Sequence, residues 1–172
     1  MNYIKIKDLS INNKGYYGIG ASASSYNKSY PQYLRITDID DNCNAPQILS
    51  TSINPNVYKD WKKYLLYEND IVFARTGNST GRNYFITNDY PNTVFAGFLI
   101  KFSLNKKVVE PRYVKYYCQS LNYWNQISSM FTGSTRKNIN AEQYGELLIP
   151  LPKHSVQQHI VNTISFLLLK FL

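Results

Sequence analysis

The fold is predicted around the stretch ENDIVFARTGNSTGRNYFI, residues 68 to 86, which has the pattern of two strands joined by a polar loop. The apolar run Ile71 to Ala74 predicts a buried strand, and residues 84 to 86 predict a second strand that returns from it. Between them lies a polar loop with Gly77 and Gly81, which permit backbone conformations with positive φ. Its polar side chains are of the types that hydrogen-bond to phosphate oxygens or base edges, namely Arg75, Thr76, Asn78, Ser79, Thr80 and Arg82. The loop is therefore either an ordinary polar hairpin connection or a loop that contacts an anion.

Length, composition and charge indicate one basic globular domain. At 172 residues the chain is long enough for a single domain with its own core. Its 19 Lys and Arg against 11 Asp and Glu give a formal net charge of +8, which favours a polyanionic partner such as nucleic acid. Cys43 and Cys118 have no metal-ligand or disulfide spacing, and no signal peptide or membrane-spanning run is visible. We therefore expect a reduced, cytoplasmic protein that spans no membrane.

Apolar patterning predicts a mixture of strands and helices. Strands are predicted over residues 3 to 6, 33 to 37, 93 to 102 and 147 to 151. The run TVFAGFLIKF, residues 93 to 102, has the nearly continuous apolar character of a strand buried on both faces. Helical spacing predicts a short helix over residues 57 to 67 and one continuous helix that begins at Pro111 and ends near residue 131. The pattern predicts the α+β class, with a mixed, twisted β-sheet and a few helices over residues 1–152.

A second polar loop repeats the chemistry of the first. Beside Gly133 it offers hydroxyls, adjacent cations and an amide, namely Ser134, Thr135, Arg136, Lys137 and Asn138. Directly after it, Asn140 and Gln143 form a capping box for a single helical turn that ends at Gly145. Two such loops in one small basic domain favour a binding surface over two idle connections.

A third polar segment, residues 15 to 32, carries no acidic residue. Its Gly18-Ile19-Gly20 resembles the start of a dinucleotide fingerprint, but the third glycine and the following helix pattern are missing, which argues against such a site. The segment is a surface loop, either idle or binding. As part of a binding surface, its Tyr17, Ser22, Ser24 and Lys28 would flank the two polar loops, together with Lys14 directly before it.

No set of residues predicts catalysis or metal binding. His154 and His159 do not have a metal-ligand spacing, and no Ser-His-acid or Cys-His arrangement can be built from sequence neighbours. The aspartates between Asp38 and Asp41 lack the glycine and the closing glutamate of a calcium-binding loop, which favours a solvated turn. No lysine follows Gly81 in the order of a phosphate-binding loop. The sequence therefore favours a binding protein without a metal or cofactor of its own. An enzyme ranks third, after the two kinds of binding protein considered below.

The last segment, residues 153–172, has the spacing of coiled-coil core positions. Val161, Ile164, Leu168 and Phe171 follow one another in steps of three and four residues. A helix this short is marginal by itself, so it packs either on its own domain or on a helix outside it. We predict that these four residues form a dimerisation or partner-binding helix.

The order of motifs resembles the DNA specificity subunit of type I restriction-modification systems, over one target recognition domain and the start of its spacer helix. The resemblance rests on YYGIGASAS (16 to 24), YLRITDID (33 to 40), ENDIVFARTGNSTGRNYFI (68 to 86), EPRYVKYYCQS (110 to 120), FTGSTRKNINAEQYGELLIPLP (131 to 152) and QQHIV (157 to 161). Two features depart from the family. Gln157-Gln158 stands where the family usually has a Glu-Gln pair, which puts the contact made by that glutamate in doubt. The chain also stops at Leu172 within its first spacer helix, as in a half-subunit that pairs with itself or a truncated form.

The resemblance implies a non-catalytic reader of double-stranded DNA. In the family, each recognition domain reads one half of a split target, and the helices set the spacing and hold methyltransferase subunits. Those partners bind S-adenosylmethionine and methylate an adenine that is flipped from the duplex, and a separate motor subunit cleaves. The loop residues named above would then contact DNA, with basic segments supplying salt-dependent affinity. The alternative is a protein-interaction domain that docks an acidic partner and never contacts DNA.

Overall fold

The computed structural model describes residues 2–88, 92–130 and 137–170. The strands in these residues are β1 (Tyr3–Lys5), β2 (Tyr16–Tyr17), β3 (Ser24–Ser25), β4 (Gln32–Leu34), β5 (Thr51–Ser52), β6 (Asp70–Ala74), β7 (Asn83–Phe85), β8 (Thr93–Phe95), β9 (Leu99–Ser103) and β10 (Leu148–Pro150). The α-helices are α1 (Pro111–Tyr117), α2 (Leu121–Ser129), α3 (Ala141–Gly145) and α4 (His154–Lys170). The α+β class is confirmed.

The central sheet is antiparallel, in the order β2-β9-β6-β7, and is built around the strand predicted at residues 71 to 74. Every residue of β6 is buried, because its two faces pack on different layers. Ile71 and Phe73 belong to the main core, which they share with residues of α1, α2 and α3. Val72 and Ala74 belong to a second core cluster on the other face. Burial on both faces accounts for the continuous apolar run in the sequence.

Two further sheets complete the fold. The second sheet has the order β3-β5-β4-β8, and its β4–β8 pair is parallel whereas its other pairs are antiparallel. Leu34 of β4 and Phe95 of β8 pack against the same cluster as Val72 and Ala74. A two-stranded antiparallel ribbon, β1-β10, joins the beginning and the end of the domain. The mixed pairing is as predicted, but it is spread over separate sheets.

The predicted continuous strand over residues 93 to 102 is wrong, because β8 and β9 belong to different sheets. The chain turns through residues 96 to 98, and the Leu99 N–H donates a hydrogen bond to the Ala96 carbonyl at 2.9 Å. Both strands are apolar because each lies in a buried layer, so the sequence shows one nearly uninterrupted run. Gly97 is the local sign of the turn.

The predicted continuous helix from Pro111 is also wrong, because it divides into α1 and α2. Ser120 caps α2, and its hydroxyl accepts the Tyr123 N–H at 3.3 Å. The apolar stripe runs across the break, since Val114, Cys118 and Ile127 all lie in the main core. Periodicity alone therefore did not reveal the interruption.

Three local predictions have different outcomes. The helix predicted over residues 57 to 67 is only a 3-10 helix at Trp61–Tyr64. The capping box of α3 is confirmed: the Asn140 side chain accepts the Gln143 N–H at 2.8 Å, and the Gln143 side chain accepts the Asn140 N–H at 2.9 Å. The acidic run forms the predicted turn, in which Asp40 Oδ1 accepts the N–H groups of Asn42 and Asn44 at 2.9 and 2.8 Å.

Helix α4 packs its first half against the domain. Val161 is 3% exposed and belongs to the main core, with Ile160 packed beside it. The hydroxyls of Tyr116 and Ser165 lie 3.1 Å apart, which ties α1 to the middle of α4. Val161, one of the four residues predicted for dimerisation, is thus covered by its own domain, and this packing favours the predicted alternative that the helix packs on its own domain at this position.

The second half of α4 projects apolar side chains into solvent. Ile164 is half-buried and Leu168 is 53% exposed, whereas Phe171 lies outside the described residues. Phe166, Leu167 and Leu169 are exposed beside Leu168. None of the helices in residues 2–88, 92–130 and 137–170 has the length and apolar character needed to cross a membrane.

The contacts of Gln157 suit a glutamine at the position where the family usually has the glutamate of a Glu-Gln pair. The side chain is buried, and its Oε1 accepts the Glu110 N–H at 2.9 Å while its Nε2 donates to the Pro152 carbonyl at 2.8 Å. A carboxylate only accepts hydrogen bonds, so an amide satisfies both neighbours where an ionised glutamate satisfies one. Gln157 thereby fastens the start of α4 to the start of α1.

Candidate nucleic-acid interface

The two polar loops singled out by the sequence lie side by side. Thr76 and Asn138 form an isolated antiparallel bridge. The Gly77 N–H donates to the Lys137 carbonyl at 3.1 Å, and the Ile139 N–H donates to the Arg75 carbonyl at 2.9 Å. The two loops therefore form one surface, called here the loop pair (residues 75–82 and 137–140). Ser134, Thr135 and Arg136 lie outside the described residues.

The first loop has a fixed shape set by its glycines and Thr80. Gly77 and Gly81 have φ values of 69° and 95°, so both require the left-handed conformation that favours glycine. The Thr80 hydroxyl donates to the Gly77 carbonyl at 2.7 Å and is 3.4 Å from the Lys137 carbonyl. Thr80 is buried, so its side chain shapes the turn and joins the two loops instead of facing a ligand.

Two buried tyrosines hold the base of this loop. The Tyr123 hydroxyl of α2 donates to the Gly81 carbonyl at 2.5 Å. The Tyr144 hydroxyl of α3 donates to the Ala74 carbonyl at 2.6 Å and accepts the Gly81 N–H at 3.1 Å. Burial raises the pKa of both tyrosines well above the ordinary value, so the hydroxyls remain neutral donors. The loop is therefore supported by the helical layer beneath it.

Arg75 stacks on Tyr17 at the edge of the loop pair. The guanidinium carbon lies 4.9 Å from the centroid of the Tyr17 ring. The Tyr17 hydroxyl accepts the Ala141 N–H at 3.0 Å, which fixes the ring against the start of α3. Arg75 Nε is buried and has no hydrogen-bond partner. A planar cation held in this way suits bidentate recognition of a guanine edge or a phosphate.

Arg82 has a different role from Arg75. Its guanidinium donates to the Ile39 carbonyl at 3.1 Å and forms an ion pair with Asp41. The side chain thereby fastens the acidic turn to the first loop, and its positive charge is partly offset. These contacts favour a supporting role for Arg82 over a direct contact with DNA.

The remaining predicted residues fall into three groups. Beside Arg75, the loop pair presents exposed or half-buried side chains, namely Thr76, Asn78, Ser79, Lys137 and Asn138. In the second sheet, the Ser24 hydroxyl donates to the Ser52 carbonyl at 3.0 Å, and just before this sheet begins, the Ser22 N–H donates to the Tyr58 hydroxyl at 2.7 Å. Lys14 and Lys28 are exposed, with Lys14 Nζ 4.9 Å from the Tyr16 ring centroid. The loop pair is thus the coherent part of the predicted surface.

Sequence reasoning missed Phe98. Its side chain is 59% exposed, and its carbonyl accepts the Arg75 N–H at 3.0 Å. The residue escaped notice because residues 93 to 102 were read as one buried strand. Gly97, directly before it, is the signal that a turn exposes the next side chain.

The chain matches one family of known proteins. The family model of the type I restriction modification DNA specificity domain matches residues 1–170. No curated protein matches the chain.

Three solved structures are similar to the chain. A chain from work on complex assembly and conformational transition of the type I R-M system has 16% sequence identity and a TM-score of 0.67, over 98% of this chain and 42% of that one. The HsdS subunit from Thermoanaerobacter tengcongensis has 16% identity and a TM-score of 0.65, over 99% and 42%. The S subunit of a type I restriction-modification system from M. genitalium has 16% identity and a TM-score of 0.65, over 96% and 38%.

These likenesses establish the shared fold, and the chain spans about two fifths of the length of each of the three structures. The family match adds what structural likeness at this identity does not, because it covers nearly all of the sequence. The chain therefore belongs to the family of type I restriction-modification DNA specificity domains.

Proposed function

We propose that residues 1–152 read one half of a bipartite double-stranded DNA target for a type I restriction-modification complex. The observation that carries the proposal is the stacking of Arg75 on Tyr17 beside the bridge between the two polar loops. It supplies a fixed planar cation next to exposed amides and a lysine. This combination matches the chemistry of base edges and phosphates.

The side chains of the loop pair divide between base contacts and phosphate contacts. Arg75 is the candidate for a guanine edge, and the exposed amides of Asn78 and Asn138 suit adenine. Lys137 and Lys14, both exposed, suit phosphates, which position the protein without reading sequence. The net charge of +8 supplies the salt-dependent part of the affinity.

The exposed end of α4 supports pairing with another helix. Phe166, Leu167, Leu168 and Leu169 follow one another, so at the helical step they cover the whole circumference, and each is between 49% and 75% exposed. A helix that is apolar all round is normally buried. We propose that the exposed second half of α4, within the predicted spacer segment 153–172, pairs with the same part of a second copy, which supplies the reader of the other half-target.

In this proposal the paired helices dock the methyltransferase subunits, which hold S-adenosylmethionine and carry out the methylation. The chain itself positions the complex on DNA and contributes no catalytic group. Half-target reading and docking of partners go together, because two separated recognition domains need a common spacer between them.

The test begins with mapping methylated adenines in the source genome, which gives the target sequence. Fluorescence anisotropy then compares the target duplex with a scrambled duplex, for the chain alone and together with its methyltransferase subunits. We expect sequence-specific binding chiefly in the complex. A complex that assembles but shows no sequence preference would favour a protein-interaction domain, and turnover of the methyl donor by the isolated chain would indicate an enzyme.

A further inference from the structure

We infer that Phe98 is a specificity-determining residue that contacts the 5-methyl group of a thymine in the target half. The inference rests on the proposed DNA-reading function and names a base feature and a side chain within it. It starts from the position of Phe98 in the central sheet.

A backbone hydrogen bond joins Arg75 to Phe98 at the turn that directly precedes β9. Ala74 of β6 pairs with Leu99 of β9, and the pairing runs one residue further, since the Arg75 N–H donates to the Phe98 carbonyl at 3.0 Å. Phe98 and Arg75 are therefore backbone neighbours at the end of the β6–β9 pair.

Tyr17 lies beside the same end of β9. It pairs with Ile100, the second residue of that strand, and Phe98 directly precedes the strand. Its ring is already covered on one side by the Arg75 guanidinium, 4.9 Å away. The stacking contact and the backbone hydrogen bond link three residues, called here the Phe98 patch (Tyr17, Arg75 and Phe98), and of their side chains only that of Phe98 has no polar group.

The turn that carries Phe98 is held by its neighbours. The Gly97 N–H donates to the Ile19 carbonyl at 3.0 Å, and the Ile19 N–H donates to the Phe95 carbonyl at 2.9 Å. Although the residues on either side of this turn are buried, the Phe98 side chain is 59% exposed. Core packing does not account for an aromatic ring exposed on a fixed turn beside a stacked arginine.

The chemical groups that bases expose in the major groove indicate which of them an exposed phenyl ring would contact. Guanine, adenine and cytosine present hydrogen-bonding groups there, whereas thymine also presents a methyl group. A phenyl ring has no donor or acceptor for the polar edges, so the methyl group is the base feature that it favours. In the Phe98 patch, Arg75 would read a polar base edge and Phe98 would read an adjacent thymine.

Replacing each thymine of the target by uracil, one at a time, tests this because uracil lacks only the methyl group. The protein is the complex of the full chain with its methyltransferase subunits, and binding is measured by anisotropy. We expect one position at which uracil weakens wild-type binding about fourfold, the value for burial of one methyl-sized group. Phe98→Ala is expected to bind thymine and uracil equally at that position.

Tyr67→Ala is the matched control. Tyr67 is 62% exposed and precedes β6, at the opposite end of that strand from Arg75, so this variant should keep the wild-type preference for thymine. The inference is overturned if Phe98→Ala retains the thymine preference, if no uracil affects the wild type, or if the half-target contains no thymine. In those cases sequence-specific binding persists and the proposed function stands. Loss of all sequence preference in the wild-type complex would instead overturn both.

Discussion

Thr76 and Asn138 face each other in an antiparallel bridge, although one follows strand β6 and the other precedes helix α3. The flanking hydrogen bonds, from Gly77 to Lys137 and from Ile139 to Arg75, extend this bridge to both sides. Two loops with the same polar chemistry thereby become one surface with a common backbone support.

Replacement of Arg75 should affect recognition more than folding. If its stacked guanidinium reads a guanine, Arg75→Ala weakens binding by about 1 to 3 kcal/mol and relaxes one target position, whereas a phosphate contact weakens all sequences alike. We expect the first result. Anisotropy at two salt concentrations, with the target and its single-base variants, separates the two. Arg112→Ala, at an exposed arginine of α1, is the control, and wild-type binding by Arg75→Ala would reject the assignment.

The two glycines of the first loop should differ in their tolerance of alanine. Both have positive φ, which costs an alanine about 1 to 2 kcal/mol. A Cβ at Gly81 would also lie 2.6 Å from Trp124 and 2.9 Å from Ile127, whereas a Cβ at Gly77 meets open space. Gly81→Ala should therefore lower the free energy of unfolding by roughly a further 1 to 3 kcal/mol in urea titrations. Equal losses at the two positions would contradict the packing of the loop on α2.

Tyr144→Phe should loosen the base of the loop. It removes the hydroxyl that donates to the Ala74 carbonyl and accepts the Gly81 N–H, so these two groups keep only the 3.0 Å hydrogen bond between them, and the loss costs about 0.5 to 1.5 kcal/mol at neutral pH. Because burial raises the pKa of Tyr144, the unfolded chain ionises this residue first as pH rises, and the wild type then loses stability that the variant does not. The difference in unfolding free energy should shrink above about pH 10. A constant difference across that range would contradict this account.

The sequence predicted elements well where one local rule decides the structure. The turn glycines Gly77 and Gly81, the capping box of Asn140 and Gln143, and the buried strand at residues 71 to 74 each follow from their own residue types. It failed where a tertiary layer imposes the same apolar pattern on two elements. Residues 93 to 102 are apolar because two different sheets bury them. The pattern of apolar residues in the sequence does not show which sheet each residue belongs to.

The candidate site was predicted in its parts but not in its assembly. Polar side chains marked both loops, yet the bridge between Thr76 and Asn138 depends on pairing between distant segments. The separate roles of Arg75 and Arg82 depend on neighbours as well: one stacks on Tyr17, and the other is engaged by Ile39 and Asp41. From residue type alone, Arg75 and Arg82 are equally good candidates for a contact with DNA.

Gln157→Glu should destabilise the junction between α1 and α4. A buried carboxylate still accepts the Glu110 N–H but no longer donates to the Pro152 carbonyl. Burial raises the pKa of such a glutamate, and its protonated form restores the donor. The variant should therefore be nearest to the wild type at low pH and lose unfolding temperature as pH rises through the folded-state pKa. Gln158→Glu is the control at the neighbouring, less buried position, and equal effects of the two changes would contradict the role of Gln157.

Two positions of α4 should separate folding from association. Leu168 is exposed, so Leu168→Asp is expected to leave the unfolding temperature unchanged and to abolish pairing between copies, because a charge replaces an apolar contact. Val161 lies in the main core, so Val161→Ala should lower the free energy of unfolding by about 1 to 3 kcal/mol and leave pairing intact when the domain is folded. Analytical ultracentrifugation over a range of concentrations, combined with thermal unfolding, measures both quantities. A wild-type chain that stays monomeric at every concentration would reject pairing through α4, since its exposed leucines would then have no second copy to contact.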